Sequence, residues 1–260
     1  MTIPVELPAS VDKALENLSG PITHAVGKSL ADIWDLVFGP VDLYVEKKRL
    51  ERQKDLQDFK DALFQSVEKI PEENLVEPKF SVVGPVLEAS KFYFEEKDIR
   101  EMFARLIAAS MDHRYQDIAH PSFTEIIKQM TPLDAQNLTC FSEGSRPVVE
   151  YRLIMNANNG YRVLFTNVFL ENENEPSLSR QASSISVLER LGLISTTYTE
   201  YLLAVGVYEK FKNTAEYHHY LQIYKPTHDV QTPVEIKQGF ARLTPLGNDF
   251  IKVCLPEHTP

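Results

Sequence analysis

One amphipathic segment between Ile99 and Met111 constrains the fold of this chain more than any other feature of its sequence. In DIREMFARLIAASMD, apolar residues recur at intervals of three and four positions, which places them on one face of a helix that must be buried. These residues are Ile99, Met102, Phe103, Leu106, Ile107 and Met111. Asp98, followed three residues later by Glu101, matches a capping box and predicts that the helix begins at Asp98.

Two more helices are predicted directly downstream, after a loop from His113 to Pro121. Ser122 with Glu125 repeats the capping pattern before a short apolar run. Thr131 and Pro132 then predict a third helix start, because proline is favoured at the first helical position. Asp134, in the first turn of this third helix, also interacts favourably with the helix dipole.

The residues ahead of this region are predicted to be helical as well. One helix covers 22–37, and Gly39-Pro40 is predicted to break or kink it, because proline interrupts the helical hydrogen bonds. A long, highly charged helix follows over 41–70, with alternating charges that indicate a solvated face; a coiled-coil or oligomer contact is the alternative. A further helix covers 82–94 with Pro85 in its first turn, and its three terminal aromatic residues are predicted to make core and capping contacts.

After Thr131 the pattern changes to strands mixed with helices. The predicted order is a strand at 147–154, a strand or extended segment at 161–170, a helix at 177–191 that runs through LERLGLI into a polar strand, a short strand at 240–243, and a last helix capped by Thr244. This order resembles the recognition-helix region of winged-helix domains. Residues of about 198–235 exceed an ordinary wing and are interpreted as an insertion, helical over Tyr201–Phe211 and extended over Tyr217–Tyr224.

The predicted fold class is therefore α+β in two parts. Residues 1–131 form a mainly α-helical N-terminal domain, and residues 132–260 form a C-terminal winged-helix-like domain that contains the insertion.

Composition excludes several classes of function. The formal net charge is -10 and both halves are acidic, which opposes nucleic-acid binding through phosphate contacts. The two cysteines, Cys140 and Cys254, lie far apart and no secretory signal is present, so we expect a reduced, cytoplasmic protein with free thiols. No apolar run approaches the roughly 18 residues that span a bilayer, and no membrane association is expected.

No catalytic, metal or cofactor site is predicted. Asp112, His113, Asp117 and His120 are close in sequence, but their spacing matches no metal motif. We interpret Asp112 and His120 instead as a hydrogen-bonded pair that fixes the angle between two helices. The sequence contains no Gly-rich nucleotide loop, no serine nucleophile elbow and no activated cysteine, and an enzyme with an unrecognised site is the least favoured alternative.

The helix at 177–191 carries the candidate nucleic-acid or partner surface. Its candidate contacts are Arg180, Gln181, Ser184 and Arg190, since Arg and Gln side chains can bond to base edges in a groove. The acidic residues at 171–175 directly precede it and would repel phosphates. A contact with protein is therefore favoured over a DNA-binding regulator, which is the alternative function.

The segments quoted above together resemble the abortive infection alpha family. The resemblance depends on a proline at the head of the region (Pro78 or Pro85), on EEKDIREMFARLIAASMD, on HPSF followed by EIIKQMTPLDA, and on LERLGLI with ARLTPLGNDFI. It implies a bacterial defence protein against phage, in which infected cells stop growing or die, and it brings no established catalytic residues. The signature positions are Pro78, Pro85, Arg100, Phe103, Asp112, His120, Pro121, Ser122 and Phe123.

Overall fold

The computed structural model describes residues 21–38, 46–78, 80–93, 95–155, 160–226 and 233–255. Its described residues divide into two compact units, one within 21–132 with 252–255 and the other within 133–251. The helices of the described residues are α1 (Pro21–Phe38), α2 (Glu46–Val67), α3 (Phe80–Ser90), α4 (Lys97–Ser110), α5 (Ser122–Ile127), α6 (Pro132–Thr139), α7 (Leu178–Arg190), α8 (Ala215–Ile223) and α9 (Pro245–Cys254). The strands are β1 (Arg146–Ile154), β2 (Tyr161–Val168), β3 (Ile194–Thr197) and β4 (Val234–Leu243), and short 3-10 turns cover Glu72–Asn74 and Glu209–Asn213.

Helix α4 is the centre of the first unit, as its periodicity predicts. It packs against α2, α3 and α5. Each apolar residue of its predicted face, from Ile99 to Met111, is at most 1% exposed. The described side chains of helix α2 begin at Lys54. They include a buried stripe of Phe59, Leu63 and Val67, with Lys60 buried beside it. The side chains before Lys54, which make up half of the charged run, lie outside the described residues, so the solvated-helix interpretation stays a prediction. The predicted break at Gly39-Pro40 lies outside the described residues.

The details of helix capping in this unit differ from the predictions. Helix α4 begins at Lys97 rather than Asp98, and Glu96 at its cap position is extended without a side-chain cap bond, so the predicted capping box is wrong. Helix α3 begins at Phe80, which puts Pro85 inside the helix rather than in its first turn. Helix α6 does begin with Pro132, as predicted.

The second unit contains a four-stranded antiparallel sheet in the order β2-β1-β4-β3. The strands predicted at 147–154 and 161–170 are confirmed as β1 and β2. Strand β4 is longer than the predicted strand at 240–243, because it pairs with β1 from Leu153↔Val234 to Arg146↔Ala241. The α+β fold class is therefore confirmed.

The segment between β3 and β4 was predicted with the wrong elements. Of the helix predicted over Tyr201–Phe211, residues 201–203 have no regular structure, 204–208 form a bend and turns, and 209–211 lie in a 3-10 turn. Tyr217–Tyr224 is largely helical rather than extended. The reason is local, because the Thr214 hydroxyl accepts a hydrogen bond from the Tyr217 N–H and caps α8. Tyr217 and Tyr220, three residues apart, then pack on the core cluster around Tyr151.

The winged-helix arrangement stays a prediction, and so does the boundary between 131 and 132. In the described residues α7 is the one helix between β1 and β3, whereas a helix-turn-helix places two helices there.

The end of α7 explains the LERLGLI segment. Gly192 has a φ of +73°, and its N–H donates to the Glu189 carbonyl at 2.9 Å. The Leu193 N–H donates to the Leu188 carbonyl at 3.0 Å, which completes a Schellman motif. Glycine is favoured here because the left-handed conformation is costly for most other residues.

The start of α9 is bonded to that same turn. The Thr244 hydroxyl donates to the Gly192 carbonyl at 2.5 Å, and the Thr244 N–H donates to the Leu193 carbonyl at 3.0 Å. The hydroxyl also accepts from the Gly247 N–H at 3.0 Å, so Thr244 caps α9 as predicted. LERLGLI and ARLTPLGNDFI therefore form one structural unit.

Candidate functional site

A groove of about 380 Å³ lies between α3 and α5 in the first unit. One wall is a face of α3 and the turn after it, since its residues recur three or four positions apart. The other wall is Pro121 with the exposed side of α5. The lining residues are Ser81, Val82, Pro85, Glu88, Ala89, Phe92, Tyr93, Pro121, Thr124, Glu125 and Lys128.

Phe92 gives this groove an exposed aromatic edge. Its side chain is 79% exposed, so the prediction of a core or capping contact is wrong for this residue. Tyr93 is half-buried and packs on Phe103 with ring centroids 6.0 Å apart. The third aromatic of this run, Phe94, lies outside the described residues.

The charges at the rim of the groove are neutralised within the rim. Glu88 is bonded to Lys91 at 2.7 Å, and Glu125 is bonded to Lys128 at 3.0 Å. Exposed pairs of this kind contribute little to stability, but they leave no net charge to attract an ionic ligand. The groove therefore fits an apolar group better than a charged one.

Pro85 adds a hydrogen-bond acceptor to the same wall. Proline has no N–H, so the carbonyl of Ser81, four residues earlier, cannot receive its usual helical hydrogen bond. Ser81 is exposed and lines the groove beside Pro85. This wall therefore holds a backbone carbonyl that lacks its usual helical donor four residues later.

Several other signature positions are buried or make contacts within the first unit. Phe103 and Phe123 are fully buried, and Pro78 is buried as well. Arg100 on α4 is half-buried and lies 3.5 Å from the Asp58 carboxylate on α2, which connects the two helices. Among the signature positions, Pro85 and Pro121 line the groove.

The predicted hydrogen bond between Asp112 and His120 is wrong, because each has a different partner. Asp112 is 2% exposed and its carboxylate binds the Arg114 guanidinium, with a shortest distance of 2.6 Å. His120 Nδ1 contacts the Ser122 hydroxyl at 2.7 Å and accepts the Ser122 N–H at 3.1 Å. His120, rather than Ser122, therefore caps α5, and this bond holds Pro121 at the groove.

The surface predicted on α7 is not continuous. Gln181 and Ser184 are each 3% exposed, so their side chains face the core. Gln181 instead donates its amide to the Glu175 carbonyl at 2.6 Å and holds the acidic loop in place. Arg180 is exposed but lies 3.0 Å from the Glu175 carboxylate, and Arg190 is exposed at the other end of the helix.

A polar network at a bulge between β1 and β2 was missed by sequence reasoning. The register shifts opposite Glu150, whose carboxylate binds Arg152 at 2.6 Å and accepts from the Thr166 hydroxyl at 3.2 Å. Asn167 has a φ of +53°, the left-handed conformation that asparagine tolerates better than most residues. No sequence motif marks this network, because its members come from distant segments.

Tyr198 joins this network from the end of β3. Its hydroxyl donates to Asn167 Oδ1 at 2.7 Å and accepts the Asn167 N–H at 3.0 Å. Burial raises the pKa of Tyr198 to about 12, with smaller effects from its hydrogen bonds and from the Glu150 and Glu189 carboxylates. The network is closed by its own bonds and holds the bulge.

The described residues hold no group of three His, Cys, Asp or Glu side chains suited to a metal ion. Cys140 and Cys254 are both free, and burial raises the pKa of each thiol, the opposite of activation. No helix in the described part of the chain is long and apolar enough to cross a membrane.

Comparison with known proteins supports the resemblance seen in the sequence. No curated protein and no solved structure matches the chain significantly. The family model described as abortive infection alpha matches residues 51–254, which include the groove, the α4 core and the α7–α9 unit. Because this match covers most of the chain, the protein belongs to the abortive infection alpha family.

Proposed function

We propose that this chain is a bacterial, cytoplasmic defence protein against phage that acts through protein contacts at the α3–α5 groove rather than by catalysis. Family membership supports the role in abortive infection. The observation that carries the contact is the apolar groove itself, with Phe92 exposed at its edge and its rim charges already paired.

The occupant we propose is a segment of a protein partner with one apolar side chain beside a hydrogen-bond donor. The apolar side chain would pack between Phe92 and the two prolines, Pro85 and Pro121. The donor would satisfy the Ser81 carbonyl, which Pro85 leaves without a helical partner. Such a contact requires no metal or cofactor, and it stabilises a complex by removing apolar surface from water.

Residues 132–260 enter this proposal as a winged-helix-like module for protein contact or for structural support. DNA binding is not favoured, because Gln181 and Ser184 are buried and Arg180 is paired with an acid. A chain with Arg180→Ala and Arg190→Ala tests the point, since we expect it to protect cells as well as the wild type does.

The main experiment measures plaque formation by a panel of phages on cells that express the wild type or Phe92→Asp. The substitution would bury a charge in the proposed contact, so we expect the plaquing efficiency to rise at least tenfold toward that of unprotected cells. Stability should change by about 0.5 kcal/mol or less, because Phe92 is exposed.

Leu36→Asp is the matched control, because Leu36 on α1 is also an exposed apolar residue of the first unit, at 63%. It should protect like the wild type. Full protection by Phe92→Asp would refute the groove as the contact, and a wild type that restricts no phage would refute the defence function itself.

A further inference from the structure

The loop after β3 ends in an exposed apolar tip, residues 201–205. Tyr201 is 57% exposed, Leu203 85% and Val205 104%, and Ala204 between them is exposed as well. Loop tips normally carry Gly, Pro, Asn, Asp and Ser. Single exposed apolar residues are common, but a run of this kind at the end of a loop is typical of an interaction site.

The backbone beside the tip is held in place by internal contacts. The Tyr208 hydroxyl accepts the Leu202 N–H at 2.9 Å and donates to the Gly239 carbonyl on β4 at 2.8 Å. Leu202 and Val207 pack on the buried core cluster that contains Tyr208. The tip is therefore presented outward on an ordered base, which lowers the entropy lost when a partner binds.

The turn within the loop depends on Gly206, which has a φ of +80°. The Glu209 N–H bonds to the Gly206 carbonyl at 3.0 Å and begins the 3-10 turn that follows. The chain thus reverses directly after Val205, and this reversal leaves Leu203 and Val205 at the outermost part of the loop.

Area and charge together limit what this tip can bind. A standard interface uses about 20–30 residues on each side, so two copies of this short tip are too small to form a stable dimer through each other. A concave pocket that encloses the tip would bury more of its surface. Among the charged residues that follow or precede the tip closely in sequence, Glu200 is exposed, Lys210 pairs with Glu171 and Lys212 pairs with Glu209. Without a basic surplus, an anionic lipid surface is a poor match.

We propose that the 201–205 tip inserts into an apolar pocket of a protein partner that carries a basic residue at its rim, facing Glu200. The residues of this contact are different from those of the groove. The binding itself does not depend on the proposed function, and only its role in defence does. Leu203 and Val205 supply the apolar insertion, and Tyr201 packs against the side of the pocket.

The test places a photo-crosslinking amino acid, p-benzoylphenylalanine, at Leu203 of the full chain in cells with and without phage. We expect one covalent adduct with another protein, mapped by mass spectrometry to apolar residues that have a lysine or arginine beside them. Val205→Asp should lower its yield at least tenfold. The same probe at Met155, which is 63% exposed at the end of β1, and the change Met155→Asp are the controls.

Four results would overturn the proposal: no adduct above the Met155 level, an adduct between two copies of the chain, an adduct with lipid, or an adduct that Val205→Asp leaves unchanged. Plaque formation with Leu203→Asp/Val205→Asp is measured beside it. If the wild type fails to protect, the defence function is refuted while the crosslinking still decides the contact. If the double variant protects fully, the tip has no part in defence.

Discussion

Replacing Gly247 by alanine tests whether α7 and α9 form the single unit described above. A Cβ atom at this position would lie 1.9 Å from the Leu193 carbonyl oxygen, a backbone atom that cannot rotate away. The two segments would have to separate by about 1 Å, although Leu193 and Phe250 beside them are fully buried. Gly247→Ala should therefore destabilise the second unit even though alanine is the better helix former.

The size of the effect follows from three contributions. Overpacking a close contact costs about 1–3 kcal/mol, and a backbone clash belongs near the upper value. Separation also weakens the Thr244 N–H bond to the Leu193 carbonyl, at about 1 kcal/mol. The higher helix propensity of alanine returns about 1 kcal/mol of the stability lost through these two effects. The net loss in the free energy of unfolding is then about 2–3 kcal/mol.

Hydrogen exchange followed by mass spectrometry measures this loss locally. In peptides that cover β3, a loss of about 2 kcal/mol corresponds to roughly 30-fold faster exchange. Gly192→Asn is the matched control, because asparagine tolerates a positive φ and the nearest atom to a Cβ there is 3.8 Å away. Exchange of Gly247→Ala at the wild-type rate, or slower than that of Gly192→Asn, would refute the reasoning.

Two further predictions concern Pro85 and the buried tyrosines. Pro85→Ala should raise the free energy of unfolding of the first unit by about 2 kcal/mol, measured by the fluorescence of the single Trp34. The same change should lower protection against phage. If both the stability and the protection fall, the proposed role of the Ser81 carbonyl is contradicted. In an alkaline titration, Tyr151 and Tyr198 should ionise near pH 12. Because their folded pKa lies above the unfolded value of about 10, stability should fall as the pH rises from about 10 to 12, and Tyr151→Phe should reduce that fall.

The helical core could be predicted from sequence because its signal is local and repeated. The face from Ile99 to Met111 needs only intervals of three and four, and every residue on it is buried. Cap positions were less predictable, because several side chains compete for the same N–H groups. At α5, His120 takes the role that the pattern assigned to Ser122, since its ring reaches the Ser122 N–H from outside the helix.

The groove could not be predicted, because exposure is decided by tertiary packing. Phe92 and Tyr93 look equivalent in sequence, yet Tyr93 packs on Phe103 and Phe92 is left 79% exposed. The prediction of an extended segment in place of helix α8 was wrong for a related reason. Tyrosines favour strands, but the Thr214 cap and the packing on the Tyr151 cluster outweigh that preference.

The position of Pro85 inside a helix is easier to explain if the groove binds a partner than if it serves only the folding of the chain. An interior proline costs about 3 kcal/mol of helix stability, and Pro85 is exposed, so core packing gives no evident return for it. What it does do is remove the i+4 hydrogen-bond donor of the Ser81 carbonyl, on a wall of the apolar groove. The 201–205 tip is unfavourable for the isolated chain in a similar way, because its apolar side chains are exposed to solvent while its backbone is held in place. Both features are unfavourable for the isolated chain, and the two proposed contacts would make them favourable by covering them with a partner.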